Sequence, residues 1–175
     1  SRAEVFRGSS SALFGNASGG MINLISELPS NTSFYEASLT AGQFGYQKIQ
    51  FKTGNTIKNL SYVVHASHNQ NIGYRKHSNM KNYILNGKAQ LEIDPLSRIR
   101  FHVSVAVSPT ANDPGSLNID QVKADPKQAR DVNVKYQAGE SVSQNKMSMV
   151  YERQVTPQFH FEGNLHFTNR EFANK

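Results

Sequence analysis

The six histidines are the side chains of this sequence best suited to bind a metal, and no cysteine is present to join them. The closest pairs are His65 with His68 and His160 with His166. On a strand, the first pair would point to opposite faces, and the second would share a face about 20 Å apart at ~3.3 Å per residue. One metal ion cannot bridge either pair. The histidines therefore predict polar side chains of a sheet and no metal site.

The serines and carboxylates, which with histidine build hydrolytic sites, occur in no spacing typical of a catalytic triad. The serines fall in turns or alternate along strand-like runs. The net charge is +6, but the basic residues are spread one or two per strand without a nucleic-acid-binding motif. We therefore expect no enzyme activity, no cofactor and no nucleic-acid partner.

The elements that must position these side chains are strands, because apolar and polar residues alternate in nearly every run after residue 34. In the clearest run, residues 98–108, apolar residues occupy every odd position from Ile99 to Val107. This two-residue period, with Val63 and Ile84 as exceptions, is typical of strands that are exposed on one face. The sequence predicts an all-β fold with about seven antiparallel strands, near residues 35–41, 48–52, 60–66, 82–93, 98–108, 146–152 and 159–167.

The connections between the runs alternate in length. Short links that contain Asn, Asp, Pro or Ser lie at 55–59, 94–97 and 155–158, and such residues favour tight turns. Longer links lie near Gly45, at 69–81 and at about 109–141, where residues 118–129 could form a turn or two of helix limited by Pro126. This alternation is typical of outer-membrane barrels. The alternative is a soluble β-sandwich or β-barrel binding module with its apolar side chains in a core.

Residues 2–26 are different in kind, with two short strands, 3–6 and 21–25, around an elbow rich in Gly and Ser. The order of an Arg-Gly pair, a Ser-Ala-Leu-Phe-Gly run and a Gly-Gly-Met-Ile-Asn run resembles the end of the plug domain in TonB-dependent outer-membrane receptors of the siderophore-receptor type. That family usually has proline after the Arg-Gly pair, where this sequence has Ser9. The residues that carry the resemblance are Arg7, Gly8, Ser10, Ala12, Leu13, Phe14, Gly15, Gly19, Gly20 and Asn23.

The resemblance implies three segments. Residues 1–28 would be the C-terminal end of the plug, 29–33 a linker, and 34–175 the first strands of a transmembrane barrel of about 22 strands closed around the plug. The chain lacks an initiator Met, and about seven strands cannot close such a barrel without leaving unpaired edges in lipid. We therefore expect an internal fragment, inactive alone, of a protein of the cell outer membrane.

The resemblance also implies uptake of a metal chelate, with a ferric siderophore as the expected ligand. The energy-coupling protein TonB, whose contact segment would precede Ser1, and outer-membrane lipid are the other expected partners. Aromatic and basic side chains at the plug apex and in the external loops suit an anionic chelate. The expected ligand contacts are Phe14, Asn16, Tyr74, Arg75 and His77.

In this interpretation the polar strand faces point to the lumen and the apolar faces to lipid. Tyrosines near strand ends would then lie at the membrane interfaces: Tyr46, Tyr62, Tyr83 and Tyr151. Two arginines of the plug segment, Arg2 and Arg7, either pair with lumenal carboxylates or stay solvated. The candidate carboxylates are Glu92, Glu152 and Glu162.

Overall fold

The computed structural model describes residues 2–8, 18–25, 27 and 32–175, and within them the chain is all-β with antiparallel pairing, as predicted. Two short helices and one 3-10 turn (Gln43–Gly45) complete the fold. The elements in chain order are β1 (Arg2–Arg7), β2 (Gly20–Ile25), β3 (Phe34–Ala41), β4 (Gln47–Ile57), β5 (Leu60–Asn71), β6 (Met80–Asp94), β7 (Ser97–Asn112), α1 (Ile119–Ala124), α2 (Asp131–Lys135), β8 (Gly139–Thr156) and β9 (Phe159–Asn174).

Strands β3 to β9 form one seven-stranded sheet in which each strand pairs with its neighbours in sequence. One end of the strands, which we call the turn edge, carries the short turns at residues 58–59, 95–96 and 157–158. The opposite end, which we call the loop edge, carries the connections at residues 42–46, 72–79 and 113–138. The predicted alternation of short and long connections is confirmed. The short turns use local polar bonds, as where the Asp94 carboxylate accepts the Leu96 N–H at 2.8 Å.

The longest connection is shorter than the sequence suggests, because β7 and β8 extend their pairing to Asn112 and Gly139. Helix α1 begins at a capping box in which Asn118 and Gln121 each accept the other's backbone N–H, at 2.9 Å in both cases. It ends before Pro126, as expected. Helix α2 was not predicted; it has no side-chain cap at its N-terminus.

The cross-strand register separates two faces of the large sheet. Leu85 lies opposite Val105 on one face, and the next residue, Asn86, lies opposite Ser104 on the other. The same alternation continues through all seven strands because their side chains point to opposite faces in turn. We call these the apolar face and the polar face.

Little of the chain is buried. Within the described part, the buried hydrophobic residues are Val63 at 7% and Ala129 at 6% exposure. The apolar face leaves large side chains open, with Leu39 at 74% and Leu165 at 66% exposure. Strands β3 to β9 therefore form a single-layered sheet without a hydrophobic core of its own.

The helices of the described segments are too short and too polar to cross a lipid bilayer.

Candidate functional site

The polar face gathers most of the charged side chains of the sheet. Its basic residues outnumber its carboxylates, so the face is positively charged and attracts anions. The basic residues are Lys48, Lys52, Lys88, Arg98, Arg100, Lys146 and Arg170, and the carboxylates are Glu36, Glu92, Glu140, Glu152 and Glu162.

Glu152 on β8 is the centre of a charge cluster on this face. Its side chain is only 7% exposed, and its two oxygens accept hydrogen bonds from Arg98 Nε and from an Arg100 Nη2. Register explains the contact, since Arg98 lies directly opposite Glu152 and Arg100 is two residues further along β7. The cluster therefore fastens β7 to β8 close to the short-turn edge of the sheet.

This cluster changes the expected pairing of the N-terminal arginines. Glu152 pairs with two arginines of the sheet and not with Arg2. Arg2 instead pairs with Glu4 on its own strand at 2.9 Å. The expectation for Arg7 stays a prediction.

A hollow of about 370 Å³ lies on the polar face toward its middle. Its charged or titratable lining residues come from neighbouring strands and from the segment after β2: Glu27, Lys52, His65, Lys88 and His102. Register places Lys52 opposite His65, and Lys88 opposite His102. The hollow thus joins four basic groups with one carboxylate.

Glu27 links the N-terminal segment to this hollow. The Lys52 ammonium donates a hydrogen bond to the Glu27 carboxylate, and this bond with the adjacent positive charge holds the pKa of Glu27 below its ordinary value. Lys52 also lies 5.0 Å from the centre of the Phe34 ring. Lys52 therefore contacts both Glu27, two residues after β2, and Phe34, the first residue of β3.

The loop edge contains the second cluster of predicted site residues. Arg75 is half-buried, and its guanidinium donates to three backbone carbonyls of the 113–138 loop: Pro114 at 3.1 Å, Gly115 at 2.7 Å and Gln128 at 2.9 Å. His77 Nε2 lies 2.8 Å from the Ala138 carbonyl and must carry its proton there, since a carbonyl only accepts. Both residues thus bind the chain's own backbone.

Tyr74, the third residue predicted in this loop, keeps an exposed ring, at 46% exposure. This ring packs edge-to-face against the Phe44 ring, with 5.4 Å between the ring centroids and 89° between the ring planes. The Lys127 ammonium lies 6.0 Å from the Tyr74 centroid. Residues of three connections, 42–46, 72–79 and 113–138, therefore meet around this tyrosine.

The N-terminal motif falls partly outside the described residues. Ser10, Ala12, Leu13, Phe14, Gly15 and Asn16 lie in the part of the chain that the structure leaves undescribed. The two predicted strands of this segment are confirmed as the antiparallel pair β1 and β2.

Two motif residues show why their types are needed. Gly20 has φ 133°, and a Cβ there would lie 2.7 Å from the Phe6 carbonyl oxygen, so only glycine fits the pairing. The Asn23 side-chain amide donates to the Glu4 carboxylate at 3.1 Å, which ties β2 to β1.

The histidines behave as the strand geometry predicts. His65 lines the hollow on the polar face, whereas His68 lies on the apolar face and stacks on Tyr83 with 4.5 Å between ring centroids. Within the described ranges, no group of three or more His, Asp or Glu side chains is placed to hold a metal ion.

No protein-family model matches this sequence. The polar face, the loop edge and the open apolar face are the features of the described residues that bear on function.

Proposed function

We propose that this chain is part of an outer-membrane transporter of the TonB-dependent receptor type, with strands β3 to β9 forming a section of its barrel wall. The observation that carries the proposal is the exposed apolar face of a single-layered sheet. The transported ligand in this proposal is a metal chelate, a ferric siderophore, and the coupling protein TonB supplies the energy.

The chain exposes more surface to solvent than a compact monomer of its mass, which supports an apolar environment such as lipid around it. The chain exposes 12362 Å². A compact monomer of its mass, 19.5 kDa, exposes about 8,500 Å². Large side chains of the apolar face contribute to the excess, with Leu39 at 74% and Leu165 at 66% exposure. Burying each Å² of apolar surface is worth about 25 cal/mol. Lipid would cover this face without a second protein layer.

The height of the apolar face matches a bilayer. On β6 the face runs from Tyr83 to Ile93, roughly 33 Å along the strand at ~3.3 Å per residue. With a strand tilt of about 40°, this gives a band roughly 25 Å tall, the height of the lipid-facing band in outer-membrane barrels. Tyr83 lies toward the loop edge and Tyr62 and Tyr151 toward the turn edge, which are positions of interfacial aromatic girdles.

The polar face supports the assignment of the lumen. Its charges would be costly in lipid but are normal in the interior of a plugged barrel. The contact between Glu27 and Lys52 joins the end of the N-terminal segment to this face. A plug on the polar side and lipid on the apolar side is the arrangement that the resemblance in residues 4–23 implies.

The experiment compares two neighbouring residues of β7 that face opposite ways. Val103, opposite Gly87 in the middle of the apolar band, and Ser104 on the polar face are each replaced by Cys in a cysteine-free form of the full gene product. Each variant is labelled with a fluorophore and placed in phosphatidylcholine vesicles that contain brominated acyl chains. We expect quenching at position 103 and little at position 104.

The alternative, a soluble binding module, predicts that neither label contacts acyl chains and that the protein stays monodisperse in buffer. That result would overturn the membrane assignment. The transport assignment is tested separately, by uptake of radioactive iron from ferric hydroxamate, catecholate and citrate complexes in cells with and without the gene. Uptake that depends on the gene and on the proton-motive force is expected, and its absence for all three complexes would remove iron chelates as ligands.

A further inference from the structure

We infer that Arg75 is a positioning residue that fastens the 72–79 connection to the 113–138 connection and thereby sets Tyr74 beside Lys127. This role differs from the direct ligand contact that its charge suggests. The joining of the two connections does not depend on the proposed transport function, and only its consequence for a ligand rests on that function.

The donors of Arg75 are largely used within the chain. Three of the five guanidinium N–H groups have carbonyl acceptors in the 113–138 connection. These acceptors come from two separate places, Pro114 and Gly115 near its start and Gln128 beyond α1. The planar guanidinium thus joins two parts of a long loop. Its hydrogen bonds offset part of the conformational entropy that ordering this loop costs.

The acceptors are themselves fixed. Gly115 has φ 71°, and a Cβ there would lie 2.7 Å from an Asn133 side-chain oxygen, so the turn that presents its carbonyl requires glycine. The Pro114 carbonyl also accepts the Arg130 N–H at 2.8 Å. Next to Gln128, Ala129 is among the few buried residues described, at 6% exposure. The guanidinium therefore binds carbonyls whose positions are further restrained by these contacts.

The bonds of Arg75 flank the pair that they position. Tyr74 precedes Arg75, and Lys127 precedes Gln128, whose carbonyl accepts Arg75 Nε. A backbone bond from the Lys76 N–H to the Lys127 carbonyl at 2.7 Å runs beside it. With both backbones held in this way, the Lys127 ammonium stays near the Tyr74 ring. For an anionic ligand at this edge, Lys127 then offers a positioned cation, and Arg75 supports it.

The test uses Arg75→Ala and Arg75→Lys in the full gene product, folded in detergent micelles, with Lys76→Ala as the matched control. Lysine keeps the positive charge of Arg75 but cannot reach three separated carbonyls. Lys76→Ala removes a positive charge one residue away and keeps the backbone bond to Lys127. Two rates are measured: tryptic cleavage within residues 113–138, and acylation of Lys127 relative to Lys123 by an amine-reactive ester.

We expect both Arg75 variants to raise tryptic cleavage within residues 113–138 about tenfold or more, because cleavage follows the population of the open loop. The acylation of Lys127 relative to Lys123 should shift from its wild-type value, because the Lys127 ammonium no longer stays beside the Tyr74 ring. The thermal unfolding of the sheet should not change, which separates loop positioning from general instability. Lys76→Ala should leave both rates as in the wild type.

Unchanged rates in Arg75→Ala would overturn the inference. So would wild-type rates in Arg75→Lys, since charge without the planar guanidinium would then be sufficient. Either result leaves the lipid-quenching test of the proposed function unaffected, so the two proposals fail separately.

Discussion

Replacing Glu152 with glutamine tests the charge cluster that fastens β7 to β8. The carboxylate accepts from both Arg98 and Arg100 and is 7% exposed, whereas the arginine side chains are 47% and 39% exposed. Glutamine keeps one acceptor oxygen and turns the other into an NH₂ donor that faces an arginine N–H. One charge-assisted bond is therefore lost, and the other becomes weaker.

The expected loss of stability follows from these contacts. Each hydrogen bond to a charged group contributes about 1.5–3 kcal/mol, and breaking a fully buried ion pair costs about 3–5 kcal/mol. Because both arginines are partly solvated, we discount the upper figure and expect a loss of about 2–3 kcal/mol.

The assay is urea unfolding of the full gene product in lipid vesicles, followed by circular dichroism of the strand band. Glu162→Gln is the control, since Glu162 lies directly opposite Glu152 on β9 but is exposed. Removing this like charge should change stability by less than about 0.5 kcal/mol. Equal losses in the two variants, or a Glu152 variant as stable as the wild type, would refute the reasoning.

Two further predictions concern packing and pH. Gly54→Ala should destabilise the sheet by about 1–3 kcal/mol, because a Cβ there would lie 2.9 Å from a backbone carbonyl oxygen and 2.6 Å from the Phe34 ring. The control is Gly87→Ala, where a Cβ would meet nothing within 4 Å and the change should be nearly neutral. The two variants are compared by their midpoints of urea unfolding. Glu27, whose pKa is lowered by the hydrogen bond from its lysine partner, should add under about 1 kcal/mol of stability that is complete above about pH 5 and lost as the pH falls through its folded pKa. Unfolding midpoints of the wild type and Glu27→Gln should therefore differ at neutral pH and converge as the pH falls below the folded pKa of Glu27. A difference that stays constant with pH would contradict the ion pair.

Much of the fold could be predicted because strand side chains have a strict period of two. Ile99 and Phe101 lie on the same face whatever the strand pairs with, so the alternation assigned the two faces before any contact was known. The short turns were equally local, since Pro95 and Asp94 restrict their own backbone. The strand faces and the short turns, whose causes lie within a few residues, were therefore predicted, whereas β4 and β8 extend well beyond their predicted bounds of 48–52 and 146–152.

The exceptions to the alternation show where the pattern needs the fold to explain it. Val63 breaks the polar pattern of β5, yet it is buried, at 7% exposure, at the base of the hollow that Lys88 and His65 also line. Ile84 breaks the pattern of β6 and stays 39% exposed on the polar face. The sequence shows both positions as exceptions to the alternation, but it does not determine which of the two side chains is buried in the fold.

The partners of the charged residues were decided by tertiary structure. The sequence placed Glu152 on the polar face but could not supply Arg98 as its neighbour, because β7 and β8 are joined by residues 113–138 and a long loop does not fix register. The same limit applied to Arg75. Its positive charge suggested a contact with an anion. Only the approach of the 72–79 and 113–138 connections in the fold shows that its N–H groups donate to backbone carbonyls.

By itself, the sequence thus determined the strand faces, the turns and the resemblance of the N-terminal segment to a plug, because each depends on residues close together in the chain. The tertiary structure decided which charges neutralise one another, where the polar hollow forms and which loop residues are structural. These outcomes depend on contacts between residues such as Arg75 and Gln128, which are far apart in sequence, and on the register that brings them together.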